Sequence, residues 1–176
     1  MQQNTFLIQK FGMSLVPLSS DNVVQVLDWR NLGFVRANML NQQTISASEH
    51  QAWFERVCGD DSELHFVIEY KDAGVGAANL KLKGKYAESG LYLSDEAIRG
   101  SAYAFLPSLL LLEFAFDTLK LTEVRATVLL HNAAALRFNT QQGYEIVEEN
   151  ADHIMMRITP ELFNPKKQKL YRFFDR

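Results

Sequence analysis

The sequence predicts an α/β fold: one central mixed, mostly antiparallel sheet flanked by helices on both faces. Three observations predict it. Apolar residues recur at helical spacing in three separate segments. Short runs rich in β-formers, bounded by turn residues, lie between and after them. The resulting order is β-α-α-β-β-β-α-β-α-β-β, and its three consecutive strands with short turns imply an antiparallel meander.

The elements are justified in turn. Met13–Val16 is a short apolar run ended by Pro17 and reads as the first strand. Ser19 or Ser20 caps a helix reaching Arg30, with Val23, Val26, Leu27 and Arg30 on one face. Ser46-Ala47-Ser48-Glu49 is a capping box, in which serine accepts from the third amide and glutamate reaches back. The helix it starts turns His50, Trp53, Phe54 and Val57 inward and stops at Gly59-Asp60-Asp61. Leu64–Tyr70 is rich in β-formers, and Lys71-Asp72-Ala73-Gly74 reads as a hairpin turn. Val75–Lys83 and Tyr86–Leu93 follow on either side of Gly84. Ile98–Ala104 leads into a long apolar helix ending near Lys120, on which Phe105, Leu109, Leu112, Phe116 and Leu119 share a face. Pro107 has no amide to donate and fits its first turn. Glu123–Leu130 is a strand, and Asn132–Gln142 is a helix closed by Gly143. Tyr144–Glu149 and His153–Thr159 are strands joined by Asn150-Ala151-Asp152.

Composition narrows the class. A chain of 176 residues makes one ordinary domain, not two full cores. With 47% hydrophobic and 22% charged residues, wholesale disorder is excluded. Apolar runs such as Leu109–Leu112 fall far short of the roughly 18 residues that cross a bilayer. Gln2, Gln3, Asn4, Gln9 and Lys10 leave no signal-peptide core. A cytoplasmic protein with no membrane partner is expected. The single cysteine, Cys58, excludes an internal disulfide and a multi-cysteine site, and no metal is expected. A net charge of −3 argues against a general nucleic-acid binder.

That charge is uneven. Lys166, Lys167, Lys169, Arg172 and Arg176 against Asp175 leave +4 beyond residue 163, so the rest of the chain carries −7. Pro165 marks a break there. We expect a domain over residues 1–163 and a basic tail over 164–176, docked by Tyr171, Phe173 and Phe174.

The central chemistry lies at a strand–turn–helix junction, Arg99-Gly100-Ser101-Ala102-Tyr103-Ala104. Small residues at 100, 102 and 104 let backbone amides approach an anion, and a helix N-terminus adds partial positive charge. Backbone need at a tight turn accounts for the same residues, and the segment is neither a P-loop nor G-x-G-x-x-G.

The segment resembles the R-x-x-G-x-G/A signature of the GNAT superfamily of N-acetyltransferases, where it cradles the pyrophosphate of acetyl-CoA. Glu88-Ser89-Gly90-Leu91-Tyr92-Leu93 resembles the family strand whose backbone pairs with the pantetheine arm. Asn132-Ala133-Ala134-Ala135-Leu136-Arg137-Phe138 with Gly143-Tyr144 is similar to the family's N-x-x-A … G-F segment. The element order matches the family from Met13 to Thr159. The resemblance implies the GNAT fold, acetyl-CoA as cosubstrate, and cofactor contacts from Leu91, Leu93, Arg99, Gly100, Ser101, Ala102, Tyr103, Ala104 and Asn132. Two positions depart from the pattern. Ala102 replaces a glycine, and Asn139 stands where many members carry a tyrosine that protonates the departing thiolate.

The N-terminal half carries a finer resemblance. Trp29-Arg30-Asn31, Val35-Arg36, Met39, Ile45-Ser46, Glu49-His50 and Trp53-Phe54 resemble the N-acetyltransferases of pseudaminic acid biosynthesis, which act on the 4-amino group of a UDP-linked amino-dideoxy sugar. The ribosomal-protein alanine and serine acetyltransferases are a looser likeness. The resemblance implies that Arg30 and His50 lie near the nucleotide diphosphate and Met39 near the sugar. On residue chemistry alone, Arg30 is equally a helix C-terminal cation, His50 a hydrogen-bonded core histidine and Met39 core filler.

The reaction then needs few parts. A primary amine must lose a proton before it attacks a thioester, and strand amides near Leu91–Leu93 suit the developing oxyanion. Glu88, acting through water, and Tyr92 on the same strand face are the catalytic candidates. His131 reads as a loop residue. We expect direct attack in a ternary complex, by a monomer or homodimer, on a small amine, with a UDP-amino sugar preferred. Acetylation of a protein N-terminus or another small amine is the first alternative. A non-catalytic acetyl-CoA-binding module, motivated by Asn139 and Ala102, is the second.

Overall fold

The computed structural model describes residues 8–175; Gln2–Asn4 and Arg176 of the expected tail lie outside the described residues. The strands are β1 (Ile8–Lys10), β2 (Met13–Pro17), β3 (Glu63–Tyr70), β4 (Ala73–Lys83), β5 (Tyr86–Leu93), β6 (Glu123–Leu129), β7 (Glu145–Glu149) and β8 (His153–Ile158). The helices are α1 (Val23–Arg30), α2 (Gly33–Arg36), α3 (Ala47–Cys58), α4 (Glu96–Arg99), α5 (Phe105–Glu113), α6 (Ala133–Gln142) and α7 (Pro160–Tyr171). The eight strands form one sheet in the order β1-β2-β3-β4-β5-β6-β8-β7. Every neighbouring pair is antiparallel except β5 and β6, so the sheet is mixed and mostly antiparallel as expected.

Strand alternation sends side chains to two cores. Leu15, Phe66, Ile68 and Leu80 pack with α5, whose residues Leu106 to Leu112 are all buried. Val67 on the opposite face packs with Val23 and Val26 of α1 and Val57 of α3, with Ala77 against them. A fully buried leucine contributes roughly 1.5–3 kcal/mol relative to exposure, so α5 is the chief apolar anchor of the sheet.

Local chemistry explains most boundaries. Ser46 and Glu49 form the capping box at the start of α3. Asn132 caps α6 by accepting from the Ala135 amide, and Gly143 closes it in the left-handed region at φ 106°. Pro107 does sit in the first turn of α5.

Other expectations change. Neither Ser19 nor Ser20 caps α1: Asn22 holds that position without a side-chain cap, because its Oδ1 turns back to the Ser19 amide at 2.8 Å. The first β-turn is only Lys71-Asp72, both left-handed at φ 51° and 65°, and Tyr70 pairs directly with Ala73. Gly74 belongs to β4, where a Cβ would lie 2.6 Å from the Trp29 ring. The long apolar helix is not regular. It is α4, a 3-10 turn at Ala102–Ala104, α5 and a π-helical segment at Phe114–Thr118. Apolar periodicity keeps the same broad face through such changes of pitch and does not register them. Strand β1 and the one-turn helices α2 and α4 are too short for periodicity to reveal.

The C-terminus departs most. Helix α7 runs through Pro165 and across the 163/164 junction, so Pro165 marks no break. Its ring removes one hydrogen-bond donor, but buried Phe163 and Tyr171 hold the helix on either side. The Tyr171 hydroxyl donates to Glu113 Oε2 at 2.6 Å, and Lys167 pairs with Glu113 at 3.3 Å. Phe174 packs on Phe11 and Tyr103 at 5.5 and 5.3 Å, whereas Phe173 is 60% exposed.

Candidate active site

Parallel strands β5 and β6 pair only over Tyr86–Ser89 and Glu123–Ala126. Beyond Ser89 they diverge, and the β5 backbone from Gly90 to Leu93 has no ladder partner on that side. A cavity of about 840 Å³ opens at the divergence, bounded by β3 to β6 and α1 to α6. That volume is near the upper end for a small-molecule site.

Arg30, Met39 and His50 are brought together in its wall. Arg30 ends α1, and its Nη2 donates to the Asn41 carbonyl at 2.7 Å. Its Nη1 is enclosed and has no partner among the described residues. Burial lowers the Arg30 pKa, and the Arg36 guanidinium nearby adds to that, while Tyr92 opposes it. His50 is buried, donates from Nε2 to the Val23 carbonyl at 2.9 Å and stacks on Trp53 at 4.8 Å. Its first duty is therefore to tie α3 to α1.

Tyr92, Leu91 and Leu93 line the cavity from β5. The Tyr92 hydroxyl donates to the Val26 carbonyl at 3.3 Å, and burial pushes its phenol well up, so it keeps its proton. Glu88 shares a strand face with Tyr92 by alternation but is exposed and does not line the cavity. It lies in register between Lys81 and Arg125. A step of four residues carries it about 13 Å from Tyr92 along the strand.

The Arg99–Ala104 loop divides into two roles. Arg99 and Ala104 line the cavity, and the Arg99 guanidinium lies 4.1 Å from the Phe34 ring centroid. The Gly100 and Ser101 amides donate to the Glu96 and Ile98 carbonyls of α4, and the Ala104 amide donates to the Ser101 carbonyl. The Tyr103 amide donates to Ser101 Oγ at 3.2 Å. The Gly100, Ser101, Tyr103 and Ala104 amides are therefore engaged in shaping the turn, Ala102 is exposed, and Arg99 presents charge to the cavity. Asn132 lines it as the α6 cap, and neighbouring His131 donates to the Ala37 carbonyl at 3.1 Å, tying that loop to the end of α2.

Asn79 and His65 line the cavity without having been site candidates in the sequence, and Tyr144 and Asn139, noted there only for the family likeness, join them. Asn79 on β4 faces Gly90, where an added Cβ would come within 2.5 Å of its Oδ1. Tyr144 lines the cavity with its phenol pushed up to about 12 by burial. Asn139 also lines it, donating weakly from Nδ2 to Met156 Sδ at 3.8 Å. His65 does too, and its Nε2 lies 3.0 Å from Glu63 Oε2. The spacing Glu63-x-His65 puts both on one strand face and was the available signal.

A family profile described as an acetyltransferase (GNAT) domain matches residues 13–145. The chain belongs to the GNAT acetyltransferase family. Among relatives, the acetyltransferase PseH of Campylobacter jejuni is 23% identical over 143 residues, covering 80% of this chain and 88% of that protein. A structure titled apo FdhC, a nucleotide-linked sugar GNAT, superposes with a TM-score of 0.82 at 18% identity over 97% of this chain and 99% of that one. Spermidine N-acetyltransferase from Vibrio cholerae, in complex with CoA and spermine, gives a TM-score of 0.80 at 17% identity over 88% and 99%. These neighbours share the GNAT fold. The protein is thus a GNAT enzyme, an acetyl-CoA-dependent N-acetyltransferase. Its site fits that cosubstrate: an unpaired β5 edge, a side-chain-free Gly90 beside it and the Arg99 cation all border one cavity. Among the described residues, no helix is long and apolar enough to cross a membrane.

Proposed function

We propose that this GNAT enzyme acetylates the 4-amino group of a UDP-linked 4-amino-4,6-dideoxy sugar. The observation that carries the proposal is Arg30 Nη1, an enclosed cationic nitrogen with no partner in the cavity wall beside Met39 and His50. An unpartnered buried guanidinium nitrogen is costly unless a ligand satisfies it, and a diphosphate accepts from a guanidinium fork bidentately. The charge of the wall agrees. Its lysine, arginine and acidic side chains are Arg30, Arg99 and Glu49, and Glu49 is committed to the Ser46 amide and hydroxyl. A polyamine or a basic peptide needs free carboxylates, and this wall offers none. The likeness to PseH and to the nucleotide-linked sugar GNAT supports the same reading.

Acetyl-CoA, when bound, supplies an activated acetyl carbonyl and a thiolate leaving group. Arg99 would hold its phosphates, and Gly90 to Leu93 would pair with its pantetheine arm. Amides near Leu91–Leu93 would receive the carbonyl oxygen as charge develops on it. Tyr92 keeps its proton and would orient the acceptor from beside Arg30. Ala104 and Asn132 bound the cofactor side. Holding amine and thioester together supplies much of the rate. Glu88 is exposed and lies outside the cavity, where it does not meet the acceptor amine.

The test is coenzyme A release across UDP-amino sugars, spermidine and short peptides. Preference for the UDP-amino sugar is the expected result, and preference for spermidine or a peptide rejects it. Arg30→Ala should raise KM for the sugar by about 10-fold or more, the worth of a charged hydrogen bond at about 1.5–3 kcal/mol. KM for acetyl-CoA should barely change. Equal effects on both would remove Arg30 from acceptor binding.

A further inference from the structure

We infer that His65, held by Glu63, is the group that takes the proton from the acceptor amine. The inference rests on N-acetyl transfer and not on which amine accepts it.

Glu63 and His65 lie two residues apart on β3 and point to the same face, the one covered by α1 and α3. The Glu63 carboxylate is fully engaged. Its Oε1 meets Arg56 Nη1 at 2.9 Å and Lys81 Nζ at 3.9 Å, and its Oε2 meets His65 Nε2 at 3.0 Å. Burial alone would raise its pKa, but His65, Arg56 and Lys81 outweigh that and hold it below the usual carboxylate range. An ionised carboxylate only accepts hydrogen bonds, so Nε2 carries the hydrogen. In the neutral ring the lone pair then sits on Nδ1. That atom has no hydrogen-bond partner among the described residues and is not one of their enclosed unpartnered polar atoms, while the ring lines the cavity. Trp53 meets the ring edge-on at 5.0 Å and fixes its orientation. The arrangement is a carboxylate–imidazole pair with its basic nitrogen open to the site, the logic by which a third group orients a catalytic base.

Its position suits the reaction. His65 is in register with Asn79, and Asn79 with Gly90, where β5 parts from β6. Two inter-strand steps place the His65 Cα about 10 Å from the Gly90 Cα. An imidazole and an amine fit within that span over Asn79, directly or through one water. The groups acting on the ring are Glu63 on its own strand, Lys81 on β4 and Arg56 on α3, with His50 beyond Trp53. Burial lowers the His65 pKa and the Glu63 field only partly restores it, so the ring is neutral at pH 7.

The proton balance is simple. The acceptor ammonium gives one proton to Nδ1, imidazole becomes imidazolium, and the amine keeps the electron pair that forms the new N–C bond. The imidazolium returns its proton to water at the cavity mouth. The second amine proton leaves with the thiolate when the C–S bond breaks.

Ring NMR on the acetyl-CoA-free protein tests the pair without any acceptor. The chain has four histidines, and His65 is assigned by the signal lost in His65→Gln. The expected result is an Nε2–H tautomer titrating below the ordinary histidine value. Glu63→Gln should lower it further, and Lys81→Met should raise it. An Nδ1–H tautomer, or a ring that ignores both changes, overturns the inference.

Kinetics use the UDP-amino sugar, or spermidine if that is the amine turned over. The acid limb of kcat/KM should follow the two ring shifts. His65→Gln should lower kcat at pH 7 by about 100-fold, the low end for acid–base catalysis, and leave acetyl-CoA affinity unchanged by calorimetry. A His65→Gln enzyme within threefold of wild type, or an acid limb that stays put while the ring moves, overturns it. Should His65→Gln fail to fold, the Glu63→Gln and Lys81→Met limbs decide. Should no amine be turned over, the sugar proposal fails and the ring titration alone decides.

Discussion

Gly76→Ala offers a direct trial of how the fold shapes the site. Gly76 lies in β4 opposite Leu93, at the end of the β5 segment that borders the cavity. A Cβ built there falls 2.2 Å from the Tyr92 carbonyl oxygen and 3.0 Å from Leu93 Cα. Both atoms are backbone, so no side-chain rotation relieves the contact. Reaching even 3.0 Å from the oxygen requires β5 to retreat by 0.8 Å. Overpacking of this kind costs about 1–3 kcal/mol. At ~2–4 °C per kcal/mol for a chain of this size, Tm should fall by about 2–12 °C. The retreat also displaces the amides near Leu91–Leu93, and a misplacement near 1 Å costs ~100-fold in rate. Thermal unfolding by circular dichroism and kcat/KM by coenzyme A release measure the two effects. Gly59→Ala is the control, since its Cβ meets only Arg56 O at 3.7 Å. A Gly76→Ala protein with unchanged Tm and kcat/KM would refute the placement of β5.

Other outcomes follow from named contacts. Arg99→Ala removes the charge facing the cavity and should weaken acetyl-CoA binding about 10-fold or more by calorimetry; unchanged affinity removes Arg99 from the phosphate site. Asn139→Ala loses only a 3.8 Å contact to Met156 Sδ and should leave turnover within a few fold; a loss near 100-fold, about 2.7 kcal/mol of barrier, would show a larger role. Tyr171→Phe deletes the 2.6 Å hydrogen bond to Glu113 and should cost about 1.5–3 kcal/mol in urea unfolding; no loss would show that Lys167 alone holds that carboxylate. Acid should destabilise the protein in two steps. The folded His65 pKa is lowered, so its contribution is full above the ordinary value near 6.5 and is lost as pH falls. Glu63 is likewise lowered, and its contribution fades below the ordinary carboxylate range. Thermal scans from pH 8 to 5 on Glu63→Gln should show a steeper decline than wild type, because loss of the carboxylate lowers the His65 pKa further; parallel or flatter curves would contradict this.

Ser46, Glu49, Asn132 and Gly143 act through backbone groups within four positions, so their pattern alone reveals the caps they form. Arg30, Met39 and His50 were legible as a group only through resemblance, because helix, loop and second helix bring them together. Glu88 and Tyr92 are equivalent by strand alternation. They separate only because β5 leaves β6 at Ser89, placing one in the cavity and the other in solvent. Pro165 was misleading because a proline's local cost says nothing about the anchors Phe163 and Tyr171 on either side of it.

The sequence by itself determined the alternation of elements, the meander, most helix caps and the family signature around Arg99. These depend on spacing, capping and turn chemistry, which act over a few residues. Only the tertiary structure decided that Arg30 Nη1 has no partner among the described residues, that the Gly100, Ser101, Tyr103 and Ala104 amides are engaged in local turns, and that Glu63 meets His65 at the edge of the cavity. Those properties arise from burial and from contacts across strands far apart in the chain, and no local pattern carries them.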